Sequence, residues 1–404
     1  MEEVRFDHME IEIPCYFLCP ISMQLMKDPV TISTGITYDR ENIEKWLFTC
    51  NTTTCPATKQ QLSGKDLTPN HTLRRLIQSW CTLNSYERFP TPKPPIDKSH
   101  IQKLIIEAEN SPDSQINCLH RLRSIAHRDE SSRMHLQTAG AVEFLASIVR
   151  KNEDLNSRDE ALNILQQISL SESDLKKLTS DNGEFSDSLI YVLENGDYES
   201  RSHAIMLLRS AFNVADPDDL IGSKSELFNQ IIHILIDKIS PIATKSALKL
   251  LIELNPWGRN RIKAVENGAV SVLIEMLLET SDRRVSELVL TALDQLCGCA
   301  DGRAELLRHG AGLAVVSKKI LRVSNVASER GVRILCSISK YSSNARVLNE
   351  MVQVGVVSKL CLVMQVDSSK KMKERAREIL RMNSRVWKDC SCVPSHLLSS
   401  YPSS

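Results

Sequence analysis

Residues 17–30 read FLCPISMQLMKDPV, followed by GITYDRENIEKW at 35–46, CPATKQQL at 55–62 and LTPNHTLRRLIQSW at 67–80. These four islands decide how the chain folds. Two of them carry Cys-Pro among small and polar residues, the composition of loops. Between the two runs a helical pattern in which Ile43, Trp46, Leu47 and Cys50 fall at i, i+3, i+4 and i+7, so one face is built for burial. Asp39 stands where that helix would be capped. A second helix is predicted to start at Asn70, whose side chain can accept a backbone N–H, with Leu73, Leu76, Ile77 and Trp80 on its apolar face.

Loop, hairpin, helix, loop, helix is the element order of a cross-braced zinc domain, so metal binding is the first chemistry to test. A structural zinc site takes four Cys or His ligands, commonly in Cys-x-x-Cys pairs. The residues on offer are Cys15, Cys19, Cys50, Cys55, His71 and Cys81, and no two of these cysteines are separated by two residues. Hydrogen bonds and ion pairs are therefore expected to pin the loops, with Asp28, Asp39, Arg40, Glu41, Arg74 and Arg75 as candidates. No metal and no cofactor is expected.

The motifs FLCPIS, M-x-DPV, G-x-TYDR-x-x-I-x-x-W, CPAT and L-x-PN-x-x-LR-x-LI-x-x-W recur in the order of a U-box, and residues 12–86 resemble that domain, the zinc-free relative of the RING domain of E3 ubiquitin ligases. The resemblance implies that Ile21, Met23, Trp46, Pro56 and Lys59 face an E2 ubiquitin-conjugating enzyme. It implies that Cys19, Pro20, Asp28, Pro29, Val30, Tyr38, Asp39 and Arg40 hold the domain together. Inward packing is the plainer reading of Ile21, Met23 and Pro56, and a solvated surface lysine that of Lys59. Arginine at position 59 would offer a planar fork of donors where lysine offers one point of charge. No residue of the chain is expected to carry ubiquitin covalently. In such ligases the reactive thioester sits on the E2, and the ligase contributes positioning.

The rest of the chain is read from its period. FPTPKPPIDKSH, with four prolines between Phe89 and Pro95, marks residues 87–98 as a stiff spacer. Beyond it, glycine corners at Gly140, Gly183, Gly268, Gly310 and Gly355 recur at about 42 residues or twice that, the spacing of armadillo or HEAT units. Each corner joins a short helix to a longer apolar one, and a further helix follows, with Ala161, Ala204, Ala247 and Ala292 as small residues for close crossings. One corner, near Leu227, lacks its glycine. Residues 99–388 thus read as an armadillo-type α-solenoid of about six to seven units, the first incomplete, whose stacked units leave a concave groove for a protein substrate. Residues 389–404 read as a flexible tail. The fold class expected is mainly α, a small α+β U-box followed by the solenoid.

Bulk properties narrow the function. Fifty basic and fifty acidic side chains cancel in 404 residues, which gives no basic stripe for nucleic acid. The basic run KKMKERAR near residue 370 reads as a solvated helix face. Trp257 and Trp387 fall outside the register of a nuclear-import groove. No leader is expected from MEEVRF, apolar runs such as AVSVLIEMLL are too short to span a bilayer, and twelve scattered cysteines suit reduced thiols. A cytoplasmic location follows as the expectation, with nuclear or peripheral membrane pools open. The expected partners are an E2 enzyme, ubiquitin and a protein substrate on the groove, with self-association left open. By resemblance to the plant proteins that join a U-box to armadillo repeats, a role in stress or defence signalling is implied. An interaction scaffold whose U-box no longer activates an E2 is the alternative.

Overall fold

In the computed structural model of the chain, the described residues are 13–49, 52–64, 66–84, 98–151, 154–179, 183–215 and 220–387. Cys50, the spacer apart from Lys98, and the tail lie outside them. Two compact units are formed, residues 1–144 with 167–169 and residues 145–166 with 170–404.

The first unit opens with a three-stranded antiparallel sheet in the order β2-β1-β3, where β1 is Pro29–Thr31, β2 Thr37–Asp39 and β3 Thr68–Pro69. Val30 lies opposite both Tyr38 and Pro69. Alternation sends Val30 and Ile32 inward, and both are buried. Gly35, at φ +80°, supplies the left-handed residue that the β1–β2 turn requires. Helix α1 (Arg40–Glu44) continues into a wide π turn at Lys45–Thr49, and α2 spans His71–Leu83. Ile43, Leu47 and Ile77 join Phe17, Met26, Val30 and Tyr38 in one core, each full burial contributing about 1.5–3 kcal/mol.

Asn70 caps α2 by accepting the Leu73 N–H at 3.0 Å. Two expectations need correction here. Asp39 occupies the N-cap position of α1 but makes no side-chain cap bond; its carboxylate turns back to the Lys27 and Asp28 N–H groups instead. Leu76 is exposed, and the buried face of α2 carries Arg74, Ile77 and Cys81. Three further helices belong to this unit. Helix α3 (Lys98–Asn110) packs on α4 (Pro112–Ala126), and α5 (Glu130–Thr138) is capped by Asp129, which accepts from the Ser132 N–H at 2.7 Å.

Helices α6 (Ala141–Lys151) and α7 (Leu155–Ile168) fall mostly in the second unit, which is helical throughout its described elements. There the elements are α8 (Glu172–Thr179), α9 (Glu184–Asn195), α10 (Tyr198–Val214), α11 (Ser225–Asp237), α12 (Pro241–Leu254), α13 (Gly258–Glu266) and α14 (Ala269–Glu279). They continue as α15 (Arg283–Leu296), α16 (Ala300–Arg308), α17 (Gly312–Lys319), α18 (Asn325–Tyr341), α19 (Ala345–Gln353), α20 (Val356–Gln365), α21 (Lys370–Met382) and α22 (Ser384–Trp387).

Helices α10, α12, α15, α18 and α21 stack in succession and form a ladder. Every rung opens on a side-chain cap. Asp197, Ser240, Asp282, Ser324 and Ser369 accept from the N–H of Ser200, Ala243, Val285, Ala327 and Met372 respectively. Of the glycine corners, Gly140, Gly183, Gly268 and Gly355 sit at φ between +74° and +87°. Gly310 keeps its place at the corner without adopting positive φ. In its repeat Ala311 precedes α17, and Gly312 is the constrained residue, where an added Cβ would lie 2.1 Å from the Leu306 carbonyl oxygen. Ala161, Ala204, Ala247 and Ala292 are fully buried. Trp387 is buried and donates Nε1–H to the Leu348 carbonyl, which is a packing role.

Candidate functional site

The two Cys-Pro stretches fold into the same backbone device. In the first, Cys19 N–H donates to the Gln24 carbonyl and Met23 N–H to the Cys19 carbonyl, both at 2.8 Å. In the second, Cys55 N–H donates to the Gln60 carbonyl at 2.8 Å and Lys59 N–H to the Cys55 carbonyl at 2.9 Å. Bridges Leu18–Leu25 and Thr54–Gln61 close the two loops. The fifth residue of each is left-handed, Met23 at φ +54° and Lys59 at φ +61°, so strain of the order of 1 kcal/mol is held at both tips. The shared signature is C-P-x-[S/T]-x-Q, CPISMQ at 19–24 and CPATKQ at 55–60. It stands in the sequence, and reading only Cys-Pro misses it.

Strand β2 anchors both loops through their cysteines, which act as hydrogen-bond acceptors. Cys19 Sγ takes the Asp39 N–H at 3.3 Å, while Cys55 Sγ lies 3.1 Å from the Tyr38 hydroxyl. Thr34 Oγ1 and Thr58 N also reach Cys55, at 3.5 Å. Burial alone would push the Cys55 thiol up, and the Thr58 and Tyr38 hydrogen bonds outweigh it, bringing the thiol down to about 6. Burial is also the leading reason that Tyr38 is held above its ordinary range. Among the described residues no three His, Cys, Asp or Glu side chains group as a metal site.

Carboxylates and arginines supply the remaining brace. Asp28 accepts from Arg40 Nε at 2.7 Å and from Arg74 Nη1 at 2.8 Å, tying the residue before β1 to α1 and α2. Of the other candidates, Glu41 pairs with Lys45 on the exposed side of α1, and Arg75 is exposed. Glu44, missed in the sequence, is buried within 3.7 Å of Arg40 Nη1. Burial and then the nearby Asp129 charge raise its carboxyl to about 7. No apolar spacing marks it, because it falls on the inward face of α1 as a charged residue.

The residues implied as E2-facing differ in exposure. Met23 is 70% exposed and Lys59 is exposed, whereas Ile21, Pro56 and Trp46 are half-buried. Trp46 donates Nε1–H to the Thr54 carbonyl at 2.8 Å, and the Lys59 ammonium lies 5.3 Å from the centre of its ring. That cation–π contact holds the lysine over the aromatic face. At the other loop, Asn42 of α1 donates to Ser22 Oγ at 3.2 Å. One helix with its π turn thereby touches both loops. Of the structural set, Cys19, Pro29, Val30 and Tyr38 are buried and Pro20 is exposed. Cys55 is shut away from solvent, and its thiol contacts run to Thr34, Tyr38 and Thr58.

A small sheet-and-helix domain with paired loops, followed by stacked helical repeats with capped third helices, defines the class of U-box proteins with an armadillo-type array. Residues 13–86 match the U-box domain family and residues 98–403 the family described as the plant U-box protein ARM repeat region. The chain belongs to the plant U-box, armadillo-repeat family of E3 ubiquitin-protein ligases and is a ubiquitin transferase. It is 52% identical over 402 residues to the E3 ubiquitin-protein ligase PUB23 of Arabidopsis thaliana, spanning 97% of this chain and 98% of that protein. Over 431 residues it is 49% identical to the E3 ubiquitin-protein ligase PUB22 of the same plant, spanning 97% and 99%. These relatives set aside the scaffold alternative.

Proposed function

We propose that the two Cys-Pro loops and Trp46 receive a ubiquitin-charged E2 enzyme, and that the ladder of third helices holds the protein whose lysine is modified. The observation that carries the first half is the paired loop geometry, because two rigid tips with apolar Ile21 and Pro56 flank a helix that contacts both. Part-exposed apolar side chains on hydrogen-bonded loops form a natural contact patch, and a part-buried Trp is a frequent hot spot. Lys59, steadied over Trp46, offers a positive group beside that patch. The chain acts by restraint: it orders a mobile thioester-linked ubiquitin and lowers the entropic part of the barrier. Substrate held on the same chain raises the effective concentration of the acceptor lysine.

A cytoplasmic setting and a part in plant stress or defence signalling belong to the same proposal. Incubation of the full-length chain with ubiquitin-activating enzyme, ubiquitin and a panel of E2 enzymes tests the reading, with self-ubiquitination expected for a subset of the panel. Chain formation with none of them would overturn E2 recruitment.

A further inference from the structure

Along most of the ladder, charge is neutralised within the structure. Asp294 of α15 is buried between Arg330, at 2.9 Å, and Arg333, at 3.0 Å, both on α18. Glu329 of α18 meets Arg375 of α21 at 3.1 Å, and Lys340 meets Glu378 at 2.8 Å. The crossing of α10, α12 and α15 differs. Arg209, Arg284 and Lys245 crowd Lys249 there, and the half-buried Glu253 faces Arg209 and Lys249. Lys245 reaches the capping Asp282 at 3.1 Å and Arg284 reaches Glu287 at 3.3 Å. Arg209 stands 4.0 Å from Glu253, too far for a hydrogen bond. Its Nε and the Glu253 Oε2 are both buried without a hydrogen-bond partner.

Lys249 is the unmatched charge of the group, with neither an ion pair nor a hydrogen bond among the described residues. Its ammonium is held below the usual lysine range, by Arg209 first, then by burial, Arg284 and Lys245, with Glu253 opposing. Cations crowded and partly dehydrated in this way attract an outside anion.

We propose that the α10–α12–α15 face binds an acidic stretch of the protein substrate in extended form, its anionic groups settling on Arg209, Lys245, Lys249 and Arg284. The inference rests on the reading of the ladder as the substrate-holding surface and adds the chemistry that it selects. Packed helices lie about 8–10 Å apart and an extended chain advances about 3.3 Å per residue, so anions spaced about three residues apart match successive rungs. Carboxylate and phosphoserine side chains satisfy that chemistry alike.

The probes are two fluorescent 12-residue peptides with Glu or phosphoserine at every third position among Ser and Ala, titrated by anisotropy against the full-length chain. Binding of either peptide is expected, and the tighter one identifies the anion. Lys249→Glu is expected to weaken it at least tenfold and Lys249→Ala by about threefold. Lys176→Glu, the same charge change at an exposed site on α8, should leave it within twofold. Loss of affinity with rising salt is also expected. No binding of either peptide by the unaltered chain, or equal binding by Lys249→Glu and Lys176→Glu, overturns the proposal. The titration reads binding without ubiquitin transfer, so its failure leaves substrate holding by the ladder to be judged separately, by capture of a ubiquitinated protein on the full-length chain.

Discussion

Replacing Asp28 with alanine removes the carboxylate that joins the residue before β1 to α1 and α2. Its two oxygens accept from Arg40 at 2.7 Å and Arg74 at 2.8 Å, and the Arg74 side chain is only 7% exposed. A hydrogen bond to a charged group contributes about 1.5–3 kcal/mol when shielded. The Arg40 bond is more open to water and is discounted to about 0.5–1 kcal/mol. The expected loss is about 2–4 kcal/mol of local stability, which speeds amide exchange in the first unit roughly 30- to 700-fold. The readout is hydrogen exchange on the full-length chain at the Cys19, Ile32, Arg40 and Cys55 amides, each bonded to a backbone carbonyl. Asp28→Asn keeps an acceptor oxygen and should fall between the native and alanine rates. Lys45→Ala, which breaks only the exposed pair with Glu41, should leave them unchanged. Acceleration of less than fivefold by Asp28→Ala would refute the idea that this ion triad holds the domain in place of ligands.

Ile21→Ala should leave the first unit folded and weaken the E2 contact about tenfold, a loss of ~1–2 kcal/mol from a small transient interface, read by titration of labelled E2. Glu44 has a folded pKa of about 7 against an ordinary 4.5, so its burial costs nothing below pH 4.5, costs more through pH 7 and costs fully above it. Glu44→Gln should therefore stabilise the domain at pH 8, on the order of 1–3 kcal/mol, and change little at pH 4.5, as followed by denaturant unfolding at the two pH values. A zinc chelator should leave both the exchange pattern of residues 13–84 and self-ubiquitination unaltered, and loss of either would show that metal holds the loops.

The two helices, the loops and the repeats could be read ahead of the structure because each has a short-range cause: 3.6-residue spacing, a capping Asn70, a recurring glycine. What was not legible depends on where a charged side chain ends up. Asp39 has the right position to cap α1, yet the Lys27 and Asp28 N–H groups, just before β1, take its carboxylate. Glu44 lies on the helix face predicted for burial, and periodicity of apolar residues says nothing of a carboxylate there. Gly310 shows that a recurring glycine can mark a repeat without adopting the same φ, since the close contact in that unit falls two residues later at Gly312. The column of Asp and Ser caps on the third helices runs through the same period as the glycines and gives the firmer register. The equivalence of Met23 and Lys59 needed only the alignment of two six-residue stretches within one chain.

The most direct test of the paired loops as the place where a charged E2 is received is single-turnover discharge of ubiquitin from that E2 to free lysine, with the full-length chain as catalyst. The unaltered chain should accelerate discharge, Lys59→Ala should reduce the acceleration, and Ile21→Ala combined with Pro56→Ala should abolish it while the exchange pattern of the first unit stays native. A folded double variant that discharges the E2 as fast as the unaltered chain would contradict the assignment of these loops.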